Sequence, residues 1–134
     1  MKLKLAAAGM LCAMLAACGG GSDDSAAPPA PAATAEGFWA GRASTGTDVA
    51  LAILENGDTW GYYVSGGYLV GALAGSTSFS GNQLSGSGKD FNLLYRTVTP
   101  GSYTGTFSAK DSVSIKLSDG STFTGSYDAR YDQP

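Results

Sequence analysis

Between residues 102 and 127 the chain alternates strictly. Tyr103, Gly105, Phe107 and Ala109 are interleaved with Ser102, Thr104, Thr106 and Ser108. Val113, Ile115 and Leu117 are interleaved with Ser112, Ser114, Lys116 and Ser118, and Phe123, Gly125 and Tyr127 with Thr122, Thr124 and Ser126. A period of two places one face of each segment against a core and the other in water, so three strands are predicted. Lys110-Asp111 and Asp119-Gly120 supply the short turns between them. Upstream, Val49, Leu51 and Ile53 run into Asn56-Gly57, a strong hairpin signal, and Trp60, Tyr62 and Val64 return from it. Trp39, Gly41 and Ala43 form an opening strand. Tyr68 to Ser76 and Gln83 to Ser87 add two more, bounded by Gly66-Gly67 and Gly81-Asn82. Residues 89 to 101 break the rhythm: Phe91, Leu93, Leu94, Tyr95 and Val98 form an apolar cluster without clean alternation. That stretch is either a helical turn plugging one end or an extension of the strand after Pro100.

Eight short strands in simple succession predict an all-β fold, a small antiparallel up-and-down β-barrel, with a β-sandwich meander as the alternative. Closure removes exposed strand edges. The inward sequences Tyr103-Gly105-Phe107 and Phe123-Gly125-Tyr127 alternate large and small residues, as the taper of a small barrel requires. Their outward partners are serine and threonine rather than the apolar band of a membrane-spanning barrel. Residues 36 to 134 are enough for one domain with one core and too few for two.

The first 35 residues follow different rules. Lys2 and Lys4 precede an apolar stretch from Leu5 to Leu15 that is too short to span a bilayer, which takes about 20 residues. It ends in Leu15-Ala16-Ala17-Cys18, and this motif resembles the lipobox of bacterial lipoproteins. The resemblance covers residues 1 to 18 and implies that 1–17 are a signal peptide, cleaved before Cys18, which carries diacylglyceryl and acyl chains. One chain holds a protein to a bilayer only marginally, whereas two or three make the attachment lasting. In that family the residue after the cysteine directs sorting. Here it is Gly19 rather than aspartate, which implies the outer membrane, in either its periplasmic or its surface-facing leaflet. Residues 18–35, with GGGSDDSAAPPAPAATA after the cysteine, contain no large apolar residue to offset the entropy of ordering. They are expected to form a disordered tether.

Composition narrows the chemistry. Cys12 leaves with the leader and Cys18 is acylated on this reading, so no disulfide forms. The chain has no histidine, and all three methionines, Met1, Met10 and Met14, lie in the leader. Ser-His-Asp and Cys-His catalysis and imidazole-based zinc or copper sites are thereby excluded, and no cofactor is expected. Loss of Lys2 and Lys4 leaves six of the eight basic residues against eleven acidic ones, a formal charge of −5. Nucleic acid is not an expected partner.

The abundant serines and threonines read as a solvated sheet face without a base to activate them. Glu55, Asp58, Asp90, Asp111, Asp119, Asp128 and Asp132 mostly flank turns, where aspartate bonds locally to the backbone, and no spacing pairs two of them as a glycosidase would. Trp39, Trp60, Tyr62, Tyr63 and Tyr68 form the aromatic concentration. Trp60 and Tyr62 share one face of their strand and Tyr63 occupies the other, so one set is expected at the surface. Tyr63 and Tyr68, near Gly66-Gly67, are the candidate partner-binding residues.

The expectation is a non-enzymatic, lipid-anchored envelope lipoprotein whose barrel binds a protein or glycan partner. In architecture alone it is similar to the tethered barrels of surface lipoproteins such as the transferrin-binding and complement-factor-binding families. Two further readings stay open. One is a periplasmic inhibitor or immunity-type lipoprotein presenting residues 89–101 to an enzyme, similar in design to lipoprotein inhibitors of lysozyme or proteases. The other is a barrel that carries a small apolar ligand.

Overall fold

The computed structural model describes residues 33–132, so the leader, Cys18 and nearly all of the tether lie outside the described residues. Eight strands run in chain order: β1 (Gly37–Ala43), β2 (Asp48–Ile53), β3 (Asp58–Ser65), β4 (Tyr68–Ser80), β5 (Gln83–Asn92), β6 (Thr97–Ser108), β7 (Ser112–Leu117) and β8 (Thr122–Tyr127). Each pairs antiparallel with its neighbours, and β1 pairs with β8, so the sheet closes as an up-and-down barrel. The sandwich alternative is excluded by that closing seam. A 3₁₀ turn, η1 (Ala129–Asp132), follows β8.

The core fills the lumen. Trp39, Val49, Leu51, Ile53, Leu84, Phe107, Val113, Ile115 and Phe123 are buried in one cluster, with Phe79, Tyr103 and Tyr127 packed against it. Trp39 meets Tyr127 edge to face at 5.3 Å, and Phe79 meets Phe107 in the same manner at 5.9 Å. The packed body reaches back to Ala35, which is fully buried and whose carbonyl accepts the Trp39 indole N–H at 2.9 Å.

The inward glycines have a common use. Tyr63 lies over Gly71, Tyr103 over Gly86 and Tyr127 over Gly37, each ring occupying the space where a β-carbon would stand. A row of hydroxyls satisfies the polar part of the lumen. Thr59 donates to the Gly57 carbonyl at 3.0 Å, its hydroxyl lies 2.6 Å from that of Thr77, and Thr77 shares a further 2.6 Å hydrogen bond with the Tyr103 hydroxyl. Among the described residues no buried side-chain polar atom is left without a partner.

Residues 89 to 101 form no helical plug. Strand β5 runs on to Asn92 and β6 begins at Thr97, so the segment is a strand extension on both sides of a turn at 93–96. Strands β4, β5 and β6 have 13, 10 and 12 residues against six for β2, β7 and β8. At about 3.3 Å per residue the excess projects beyond the short strands as a wall on one side of the barrel mouth. A register shift between Tyr63 and Val64 leaves Val70 as an extra, buried residue in β4. Its carbonyl accepts the Leu93 N–H at 2.9 Å and ties the two projecting hairpins together.

Candidate functional site

The face that β3 presents is decided at its turn. A two-residue Asn56-Gly57 turn would pair Ile53 with Trp60 and bring both inward. Instead Ile53 pairs with Thr59, the Gly57 N–H bonds to the Leu54 carbonyl at 2.9 Å, and Gly57 has φ +90°. Asn56 supports this longer turn by accepting the Asp58 N–H at 3.0 Å. One residue of register reverses every side chain of a strand. Thr59, Gly61 and Tyr63 consequently face the lumen, while Trp60 and Tyr62 face out, 57% and 51% exposed.

The cross-strand registers carry that apolar face across six of the eight strands. One outward row reads Phe38, Ala52, Trp60, Ala74, Lys89 and Pro100 from β1 to β6, and the next reads Ala40, Ala50, Tyr62, Ala72, Phe91 and Val98. Alanines flank both Trp60 and Tyr62, so the two rings stand above their neighbours. At the mouth the surface continues through Leu69 and Tyr68 on the β3–β4 hairpin and Leu93, Leu94 and Tyr95 on the β5–β6 hairpin. Among the described residues, every strongly exposed large hydrophobic side chain except Leu54 belongs to this wall or its tips. Counting roughly 200 Å² for a large side chain, they expose on the order of 1,000 Å². Wall and tips divide that area about equally, each at the upper end of the roughly 300–600 Å² that a monomeric protein shows in its largest patch.

The rest of the exterior, on β7, β8 and the remaining outward positions of β4 to β6, is hydroxylic. Ser76, Ser78, Ser85, Ser87, Ser102, Thr104, Lys116 and Asp119 border a shallow open groove there, and the outward positions of β7 and β8 are serine, threonine and Lys116. The serine and threonine exterior expected from the last strands thus describes part of the barrel surface only. On the wall the ordinary pattern is inverted, with apolar residues outside and Tyr63, Asp90, Asn92, Thr97 and Thr99 on the lumen side.

Of the two candidate binding residues, Tyr68 is 77% exposed at a hairpin tip. Tyr63 points inward instead, its ring over Gly71 and its hydroxyl donating to Asp90 at 2.7 Å. Burial and the neighbouring carboxylate both raise its pKa, so it stays a neutral donor at physiological pH. Trp60, Tyr62, Phe91 and Val98 carry the exposed face.

The carboxylates are occupied locally. Asp58 accepts from the Asn56 amide, Asp119 from Ser121 and Asp128 from Arg130. Asp132 accepts from Tyr127 and from Lys110, the latter at 3.1 Å. These bonds hold the carboxyls of Asp119, Asp128 and Asp132 below the ordinary aspartate range. Among the described residues no group of three or more potential metal-ligating side chains converges.

Arg96 closes the β5–β6 turn with φ +54°. The left-handed conformation costs a non-glycine residue about 1–2 kcal/mol. Arg96→Gly should therefore raise stability by about 1 kcal/mol, read as a higher urea midpoint at unchanged slope. An unchanged or lowered midpoint would mean that the arginine side chain offsets the strain through its own contacts.

Comparison with family models, with curated proteins and with solved structures returns no match for this chain.

Proposed function

We propose that the chain is a non-enzymatic lipoprotein of the bacterial outer membrane, acylated at Cys18, whose barrel binds a protein partner through the apolar wall. The single observation behind partner binding is the division of the exterior, with aromatic and aliphatic residues in the outward rows through Trp60 and Tyr62 and hydroxyls on β7, β8 and the remaining outward positions of β4 to β6. Leu15-Ala16-Ala17-Cys18 supports the anchor. A protein is favoured over a glycan because the side chains beside Trp60 and Tyr62 on the neighbouring strands are Ala50, Ala52, Ala72 and Ala74. A sugar needs hydrogen-bonding side chains beside its stacking platform, and Lys89 alone offers one within these two rows. Trp and Tyr flanked by small residues fit the profile of binding hot spots.

Neither alternative draws comparable support. Residues 89–101 are a regular hairpin with a four-residue turn rather than a long irregular loop. The lumen that a carried ligand would occupy is filled by the Trp39, Phe107 and Phe123 cluster.

The two parts are tested separately. Growth with a palmitate analogue should label the wild-type chain and leave Cys18→Ser unlabelled; equal labelling of both would remove the anchor. For the wall, tagged wild type and the double variant Trp60→Ser, Tyr62→Ser should be compared in cross-linked envelope fractions. The expected result is a discrete adduct lost in the double variant by about 100-fold and kept in Thr104→Ala, Thr106→Ala on the hydroxyl side. An adduct that survives the wall substitutions would exclude this face.

A further inference from the structure

We infer that the tips of the two projecting hairpins form a lipid-contacting end that seats the barrel on a phospholipid surface, separately from the partner-binding flank. The tips are Tyr68 and Leu69 on β3–β4, and Leu93, Leu94 and Tyr95 on β5–β6. Three of them, Tyr68 and Tyr95 at 77% and Leu94 at 67%, are the most exposed large apolar groups among the described residues. The Leu93 N–H bond to the Val70 carbonyl holds the two tips side by side, so they advance as one unit.

Their chemistry matches a bilayer boundary better than a protein surface. Leucine is under-represented among protein hot spots, whereas leucines flanked by tyrosines suit an interface where the aliphatic groups enter the acyl region and the phenols stay among the headgroups. Charge points the same way. The chain is acidic overall, yet the charged residues of the β5–β6 hairpin are Lys89, Asp90 and Arg96, and Asp90 is turned to the lumen side and engaged by Tyr63. Lys89 lies on the flank in the Trp60 row, whereas Arg96, in the turn itself, stays available to lipid phosphates and contributes attraction to an anionic surface. Arg96 occupies its turn position in spite of the left-handed backbone there, which places a guanidinium beside Tyr95.

Connectivity allows the arrangement. In an up-and-down barrel both termini lie at one end, with the β2–β3, β4–β5 and β6–β7 turns, and the β3–β4 and β5–β6 turns lie at the other. Residues 18–35 can extend to about 60 Å at full stretch, more than the roughly 43 Å length of the 13-residue β4. A chain acylated at Cys18 can therefore bring its far end to the membrane that holds it.

The inference does not depend on acylation, and its test removes it. The chain from residue 18 onward with Cys18→Ser keeps every core residue and lacks both the leader and the lipid. It should float with vesicles of phosphatidylethanolamine containing a minority of phosphatidylglycerol. Leu94→Asp, Tyr95→Asp should weaken that binding by about 100-fold, since two apolar groups lose their burial and two charges oppose insertion. Trp60→Ser, Tyr62→Ser should leave it within about twofold, because those side chains lie on the flank. Unfolding midpoints of the variants, expected to match the parent because the altered residues are exposed, establish that folding is intact. A chain that fails to float, or one that floats equally well with the tip substitutions, overturns the inference. Loss through the flank substitutions instead would move lipid contact to the wall and overturn it as well.

Discussion

Replacing Trp39 by alanine is expected to lower the stability of the barrel by about 3–5 kcal/mol. The indole is 1% exposed, packs edge to face on Tyr127 and belongs to the one cluster that fills the lumen. Its N–H also fixes the carbonyl of Ala35. Alanine leaves a large void in a small core whose rigid strands cannot collapse into it, and it orphans a buried carbonyl. Domains of this size hold about 5–15 kcal/mol in total, so much of the native margin would go. Urea unfolding followed by strand dichroism measures the change, and the exposed Trp60 remains as a fluorescence probe. Trp39→Phe should cost less, because it keeps most of the volume and loses mainly the hydrogen bond. A loss below about 1 kcal/mol for Trp39→Ala would mean that the lumen repacks freely.

Gly41→Ala is the second substitution with a large expected effect, about 3 kcal/mol or more. Gly41 faces inward on β1 opposite Gly125 of β8, and a β-carbon there would overlap the Thr124 carbonyl oxygen and stand 2.6 Å from the Gly125 α-carbon. The obstacles are backbone atoms, so no rotamer change relieves them. The damage falls on the β1–β8 seam, the pairing that closes the barrel. If the seam opens, two unpaired edges are exposed and the chain should also self-associate. Equilibrium unfolding with size-exclusion chromatography reads both consequences. Gly46→Ala is the control: its φ is +89° but its β-carbon meets nothing, so only backbone strain of about 1 kcal/mol is expected. Equal effects at the two glycines would refute the packing argument.

Much of this fold was legible in the residues. Strands β2, β7 and β8 were marked by strict alternation, and aromatic and glycine residues on the inward face pointed to a closed barrel. The long strands β4 to β6 were less legible. Tyr68–Ser80 continues past the expected Ser76, and Gln83–Asn92 past Ser87, because their last turns alternate less clearly between apolar and polar. The cluster from Phe91 to Val98 had no alternation to read, since the wall is solvated on its lumen side and apolar outside. The exposed site was half visible: the opposed faces of Tyr62 and Tyr63 showed that one set would be outside. Which set it is depended on the turn at residues 54–57, where one residue of register separates Trp60 inward from Trp60 outward. The Asn56-Gly57 signal marks a turn without counting its residues.

What the amino-acid order determined by itself is local: which segments extend, where they reverse, which residues of a strand share a face, and the lipobox-like motif ahead of the domain. A period of two separates one face of a strand from the other, and it carries no information about which residues of distant strands become neighbours. Closure and register decided that. They brought Phe38, Trp60, Tyr62, Phe91 and Val98 from four strands onto one flank, sent Tyr63 inward to Asp90, and left the tips of two hairpins exposed together. Each of those residues is unremarkable in its own segment, and the surface they make exists only once hydrogen bonding between strands has set their positions around the barrel.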